Sequence, residues 1–192
     1  MSKVFVITGP SGVGKGTLIK QLLQRIPSLE LSISATTREP RQGEVNGRDY
    51  HFLSAPEFER RVAEKDFLEF AAYSGNHYGT LRSEVEGRLA AGHSVVLEIE
   101  VQGAQQVRAA KPDSVQIFIA PPDPSVLRER LRSRGTDSAA AIDSRLEVAD
   151  RELAAQGDFA HLIVNDDLAQ AVDELEGIVR AEVGLPLDSP AE

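Results

Sequence analysis

The sequence predicts an α/β protein, a parallel sheet flanked by helices, and three observations carry that expectation. Short β-branched and aromatic runs of strand length alternate with stretches whose apolar residues recur at helical spacing. The first strand and first helix are joined by a glycine-rich turn. Several helix starts carry capping residues or early prolines. At 192 residues the chain is expected to form one domain. A fold of that size removes roughly 70% of its unfolded surface from water and needs no cross-links.

Taken in order, residues 3–8 (KVFVIT) are too short for a helix and are bounded by a Gly/Pro/Ser cluster, which predicts a buried strand. From Lys15 onward Leu18, Ile19, Leu22, Leu23 and Ile26 lie at helical spacing until Pro27 stops the helix. Further strand-length runs are 30–34 (ELSIS), 94–99 (SVVLEI), 115–120 (VQIFIA) and 162–164 (LIV). Ser54 with Glu57 three residues on forms a capping box with Pro56 in the first turn, and Asp123 followed by Pro124 is a second cap-and-proline start. The ending GLPLDSPAE has no periodicity and is expected to fray.

Two stretches interrupt the alternation. Residues 35–53 are polar, contain the Asn46-Gly47 hairpin signal, and hold Arg38, Arg41 and Arg48. Residues 128–151 hold Arg128, Arg130, Arg132, Arg134, Arg145 and Arg151 around the break at Gly135. Nine of the 21 basic residues therefore sit in two insertions, while the chain as a whole carries a net charge of −9. That balance argues against nucleic acid as a partner but says nothing against a small phosphorylated ligand.

Composition excludes other chemistries. Without cysteine there is no disulfide, thiolate zinc site or cysteine nucleophile. His51, His77, His93 and His161 are dispersed and form no i, i+4 pair. The N-terminus offers one lysine and four apolar residues before the glycine turn, short of the ~7–15 of a secretory core. No run approaches the ~18 apolar residues of a membrane span. A cytoplasmic protein without membrane partners is expected.

Gly9 to Thr17 reads GPSGVGKGT, and Gly9, Gly14 and Lys15 fit G-x-x-x-x-G-K, a loop whose backbone N–H groups wrap nucleotide phosphates while the lysine reaches the β and γ phosphates. Its position between a buried strand and a helix is the context that pattern requires. Ser11, Gly12, Gly14, Lys15, Gly16 and Thr17 are thus candidate ATP-binding residues together with Gly9. Gly16 stands where Ser or Thr usually ligates Mg²⁺, with Thr17 one step later. This Gly-Thr ending resembles that of many adenylate kinases, which implies a metal held through water or by Thr17.

The neighbouring segments go further. After the loop come SISATTR (Ser32 to Arg38), PRQGEVNGRDYHF (Pro40 to Phe52), FLEFA (Phe67 to Ala71), GNHYGT (Gly75 to Thr80), LEIEVQGA (Leu97 to Ala104), IFIAPP (Ile117 to Pro122), RLRSRGTD (Arg130 to Asp137) and VNDD (Val164 to Asp167). In this order, from about residue 3 to 182, the chain resembles the guanylate kinases, which convert GMP and ATP to GDP and ADP in purine nucleotide metabolism. The resemblance implies a P-loop NTPase-type parallel core (1–34, 82–126 and 157–183) with a GMP-binding insertion (35–81), a lid (127–156) and a flexible tail (184–192). It implies Mg²⁺ as cofactor, ATP as co-substrate and GMP, or dGMP, as acceptor.

By the same resemblance Arg38, Arg41, Tyr50 and Tyr78 hold the GMP phosphate, a task suited to guanidinium forks. Glu69 reads the guanine edge, with hydroxyl contacts from Ser34 and Thr80. A carboxylate accepts guanine N1–H and N2–H₂ side by side, whereas adenine presents an acceptor at N1. Glu98 and Glu100 end an apolar strand on one face; Glu100, where the family usually has aspartate, would read guanine, and Glu98 would hold Mg²⁺ through water. Arg130, Arg134 and Arg145 match lid arginines that close over ATP, and Asn165 matches the adenine end of the ATP site. Arg128, Arg132 and Arg151 have no such match and are expected to be solvated. Lys15, Arg38, Arg134 and Arg145 form the expected catalytic set. An anionic acceptor requires no general base, which agrees with the absence of any Ser-His or His-Asp constellation. Two alternatives remain at this point: a ribose 1,5-bisphosphate kinase, disfavoured by Ser34, Glu69 and Thr80 together, and a non-catalytic binding module of the same fold, disfavoured by the retained lysine and arginines.

Overall fold

The computed structural model describes residues 1–73, 75–127 and 139–186, the side chains of 139–145 excepted. Its elements are β1 (Val4–Thr8), α1 (Lys15–Arg25), β2 (Leu29–Leu31), β3 (Ala35–Thr36), β4 (His51–Phe52), α2 (Ala55–Ala63), β5 (Phe67–Tyr73), β6 (Asn76–Leu81), α3 (Arg82–Ala90), β7 (Ser94–Glu98), α4 (Val101–Ala110), β8 (Val115–Ala120), α5 (Ala139–Ala154), a 3₁₀ turn (Gln156–Asp158), β9 (His161–Val164) and α6 (Leu168–Val183). No helix among the described residues is long and apolar enough to cross a membrane.

The larger sheet has the order β2-β7-β1-β8-β9, and every pairing in it is parallel. The strand predicted at 3–8 is its centre, with all five residues of β1 buried. Alternation sends Phe5 and Ile7 to one face, against Leu18, Ile19 and Leu22 of α1 and Val172 and Leu175 of α6. Val4 and Val6 point to the other, against Ala104 and Val107 of α4. Burial of such a side chain contributes about 1.5–3 kcal/mol, so the two layers hold the strand between them. Because every pairing is parallel, the C-terminal ends of these strands lie along one rim, where ligands bind in open α/β sheets.

The smaller sheet, β4-β3-β6-β5, belongs to the insertion. Ala35, Phe58, Phe67 and Leu81 form its own core, with Phe58 and Phe67 stacked at 4.5 Å between ring centroids. The predicted cap of α2 is present: the Ser54 side chain accepts from the Glu57 N–H at 3.3 Å. Asn46-Gly47 does not make a hairpin, because β3 and β4 pair in parallel. The Asp49 carboxylate instead accepts the Val45 N–H at 2.8 Å and winds 45–49 into a compact turn.

The run at 30–34 forms a strand only to Leu31. Glu100 also lies beyond its strand, since β7 ends at Glu98 and Glu100 caps the start of α4. Leu127, Leu146 and Ala149 are buried, so both ends of the segment read as a lid are anchored in the core. Gly184 closes α6 in the left-handed conformation, and the Arg180 guanidinium donates to the Pro186 carbonyl at 2.8 Å.

Candidate active site

The turn between β1 and α1 curls as the glycine spacing demands. Gly9, Gly12 and Gly14 all have positive φ, and Gly14 enters the helix in the left-handed region. At Gly9 space is decisive as well: a Cβ there would lie 2.2 Å from the Ile119 carbonyl oxygen of β8. The loop is thus set directly against the neighbouring strand. Lys15 folds back over it, its Nζ donating to the carbonyl oxygens of Gly9 at 2.5 Å and Pro10 at 3.2 Å. Burial pulls the lysine's pKa down, and Glu152, Glu98 and Glu100 pull it back up.

These groups line one cavity of about 370 Å³ with Gly9, Ser11, Ser32, Ser34 and Tyr50. Loss of water raises Glu98 and Glu100 above the usual carboxylate range, and the Lys15 charge offsets part of that. Glu152, from α5, is pushed up to about 7 by burial, opposed by Lys15 and by the backbone N–H groups of Val101 and Ser11. Gly16 opens towards Glu98: a Cβ at that position would stand 3.6 Å from Glu98 Oε1. Thr17 is exposed beside it. Among the described residues no three His, Cys, Asp or Glu side chains cluster as a metal cage.

Asn165 is placed by the structure behind the loop. It is buried, its Nδ2 donates to the Val13 carbonyl at 2.7 Å, and the same atom would meet a Cβ on Gly14 at 2.6 Å. Its contact with the loop is therefore with backbone.

A second cavity, of about 270 Å³, adjoins the first and shares Ser34, Tyr50, Tyr73, Glu98, Ile99 and Glu100 with it. Glu69, Tyr78, Gly79 and Gly103 complete its wall. Glu69 is buried on β5 and accepts from the Thr80 hydroxyl at 2.7 Å across the β5–β6 ladder. Burial raises it to about 7, against the Thr80 bonds. Its second oxygen, Oε2, stands over Gly103 of α4, where a Cβ would come within 2.6 Å.

At the outer rim Arg38 forms a bidentate pair with Glu44, NH1 to Oε2 at 3.0 Å and NH2 to Oε1 at 2.9 Å. The guanidinium lies 5.3 Å from the centroid of the Tyr50 ring, and Tyr50 meets Tyr78 edge-on at 6.2 Å. The Glu44 hydrogen bonds raise Arg38 further above its ordinary value and hold Glu44 below its own. Arg41 is exposed, and its backbone N–H donates to Glu44 at 2.7 Å.

The structure thus brings Lys15, Glu98 and Glu100 together, and Glu69, Thr80, Ser34, Tyr50, Tyr78 and Arg38 around the adjoining space. Arg130 and Arg134 lie outside the described residues; Arg145 falls in α5 with its side chain outside them. Sequence reasoning missed Glu44, Gly103 and Glu152. The first two stand inside quoted motifs without an assigned part, and Glu152 follows buried Leu146 and Ala149 along one helix face, where a carboxylate is out of place.

The family model described as guanylate kinase matches residues 1–182. A guanylate kinase of Gloeobacter violaceus is 52% identical over 191 residues, covering 100% of this chain and 92% of its own length. That of Synechocystis sp. is 52% identical over 180 residues, covering 94% of each. The crystal structure of guanylate kinase from Anaplasma phagocytophilum superimposes with a TM-score of 0.75 at 32% identity, over 94% of this chain and 86% of that one.

Proposed function

The chain belongs to the guanylate kinase family of nucleoside monophosphate kinases, and from that premise we propose that it transfers the γ-phosphoryl group of ATP to GMP, or dGMP, giving ADP and GDP. The observation that carries the choice of acceptor is the buried Glu69 carboxylate, held by Thr80 in the wall of a cavity that adjoins the phosphate-loop cavity. When ionised, Glu69 accepts guanine N1–H and N2–H₂; adenine would set an acceptor against it. Ser34 and Glu100, the latter at the start of α4, line the same cavity, where Glu100 would meet the guanine.

The reaction is an in-line displacement. An oxygen of the GMP phosphate forms a bond to the γ-phosphorus as the bond to the bridging oxygen of ADP breaks, and the nucleophile is already anionic. The protein's part is position and charge. Lys15 leaves the Gly9 and Pro10 carbonyls for the β and γ phosphates, with backbone N–H groups of Gly12, Gly14, Gly16 and Thr17 around them. Arg38 exchanges Glu44 for the GMP phosphate, joined by Arg41, Tyr50 and Tyr78. Arg130, Arg134 and Arg145 cover the transferring group from the lid, excluding water that would otherwise accept it. Asn165 supports ATP binding through the backbone of Val13 and Gly14.

Mg²⁺ fits these residues. The ion is commonly held by substrate phosphates, water and one or two carboxylates, and here Glu98 stands beside Gly16 and Lys15 without a closed cage. Glu98 and Thr17 would hold it, through water, and it would neutralise charge on the β and γ phosphates. A cytoplasmic location agrees with the lack of cysteine and the acidic surface.

A coupled assay of ADP formation from ATP with GMP, dGMP, AMP, UMP and ribose 1,5-bisphosphate as acceptors tests the proposal. Preference for GMP and dGMP is expected. Preference for any other acceptor, or no turnover, would overturn it.

A further inference from the structure

Glu84 stands where the chain passes twice between the core sheet and the insertion. The chain enters the insertion after β2, through Ile33 and Ser34, and leaves it at the end of β6, where Leu81 precedes α3. Glu84 lies in the first turn of α3, where the helix dipole favours a negative charge and Arg88, four residues on, is an ordinary partner. Its carboxylate reaches beyond the helix as well. Oε1 accepts the Ile33 N–H at 3.3 Å, and Oε2 lies 3.5 Å from Nε2 of His51 on β4. One side chain of the core thus touches both the segment that enters the insertion and a strand inside it.

Each contact is one residue away from the wall of the acceptor cavity. Ser34 follows Ile33, Tyr50 precedes His51, and both Ser34 and Tyr50 line that cavity. The two segments are also joined directly, since the His51 N–H donates to the Ser34 carbonyl at 2.9 Å. Nε2 of His51 is buried without a hydrogen-bond partner among the described residues, and Glu84 is the charged group set against it.

Glu84 is itself held. Arg88 donates to its Oε1 from Nε at 2.9 Å and from NH2 at 2.6 Å, and Arg88 NH1 pairs with Glu30 on β2. Glu30 Oε1 in turn lies 3.2 Å from Nδ1 of His93, just ahead of β7. His51, Glu84, Arg88, Glu30 and His93 therefore run without a break from the insertion to the edge of the core sheet. Burial pushes the Glu84 carboxyl up, but the bonds from Arg88 and the Ile33 N–H outweigh it and hold the group below the usual carboxylate range. The Glu84 side chain is 17% exposed and that of Arg88 25%, so the pair is largely shielded from the solvent screening that weakens most surface pairs.

We propose that Glu84 is a positioning residue for GMP: fixed to the core by Arg88, it clips together the entry and exit of the insertion and so sets Ser34 and Tyr50 against the core side of the acceptor cavity. A site whose walls are already in place binds its ligand without first having to order them. Alanine removes the clip. Glutamine keeps an acceptor for Ile33 but loses the charge that Arg88 and His51 meet.

The proposal rests on the reaction proposed above. Turnover of GMP by the parent tests that reading, while amide exchange tests the clip without any substrate. In Glu84→Ala the KM for GMP is expected to rise about fivefold or more with the KM for ATP within about twofold of the parent, since the phosphate loop is built elsewhere. Glu84→Gln is expected to fall between the two. His51→Ala is expected to raise the KM for GMP in the parent but to add little in Glu84→Ala, because the pair acts as one unit. Glu86→Ala removes an exposed carboxylate from the same helix outside these contacts, and both KM values are expected to stay within about twofold. Without nucleotide, hydrogen exchange of the Ile33 amide is expected to be about tenfold faster in Glu84→Ala than in the parent, and near parental in Glu84→Gln. Parental GMP kinetics in Glu84→Ala would overturn the proposal. So would equal rises of both KM values, additive effects of the Glu84 and His51 substitutions, or unaltered exchange at Ile33.

Discussion

Glu69 fills the space that Gly103 leaves open across two elements: a single methyl group on Gly103 would lie 2.6 Å from Glu69 Oε2. The glycine on α4 is what lets the carboxylate on β5 reach the cavity it faces. Gly103→Ala is therefore expected to displace Glu69 and raise the KM for GMP by about tenfold or more, with the KM for ATP little changed. Steady-state kinetics with each substrate varied in turn measures this, and equal effects on the two would show that Gly103 serves packing only.

Glu69→Gln removes the charge without changing the shape. GMP turnover is expected to fall steeply while ATP affinity stays nearly intact, because the amide offers guanine one acceptor instead of two. Binding of ATP and turnover of GMP, measured on the same preparation, distinguish this from general damage.

The same variant carries a pH signature. In the folded protein Glu69 holds its proton to about pH 7, above the 4.5 of an unperturbed side chain. The folded state therefore binds more protons between these values, and this residue's contribution to stability declines as pH rises through them. Glu69→Gln removes the decline. Its stability relative to the parent is expected to increase by up to about 3 kcal/mol between about pH 5 and pH 8 in the absence of GMP. Urea unfolding at several pH values checks it, and a constant difference would contradict the burial argument.

Asn165→Leu keeps approximate volume and removes the donor to Val13. Loss of such a hydrogen bond costs about 0.5–1.5 kcal/mol. The melting temperature is expected to fall and the KM for ATP to rise, because the loop beside Gly14 loses its support. Unaltered ATP affinity in a destabilised variant would confine Asn165 to stability.

Arg38→Lys tests the fork. A lysine offers a point charge where Arg38 now makes two parallel bonds to Glu44 at 3.0 and 2.9 Å. Substitution is expected to raise the KM for GMP by about tenfold or more and leave ATP binding unchanged. A lysine variant with parental GMP kinetics would show that charge alone suffices at this position.

Much of the fold was legible in the sequence. The buried strand at Val4–Thr8, the glycine turn and the helix from Lys15 follow from local spacing, and local rules suffice where the partners are neighbours in sequence. The parallel pairing of β3 with β4 was not legible, since strands of two residues are fixed by what packs around them. The same distinction divides the site. Gly9 to Thr17 and the tyrosines and arginines of the insertion lie in continuous motifs. Glu152 reaches the cavity of Lys15 from α5, and Gly103 makes room for Glu69 from α4; neither relation has a signature in any single stretch of chain. Asn165 was placed at the adenine end by resemblance, whereas its side chain meets the loop backbone, a contact that depends on how β9 lies beside the phosphate loop.

The two cavities adjoin: Ser34, Tyr50, Tyr73, Glu98, Ile99 and Glu100 border both. For a designer of inhibitors this makes the acceptor and donor compartments one extended receptor. A guanosine and an adenosine joined through a chain of phosphates would occupy both ends at once. Once one end is seated, the other meets its compartment at a high local concentration set by the tether, so each end gains from the other without any new contact.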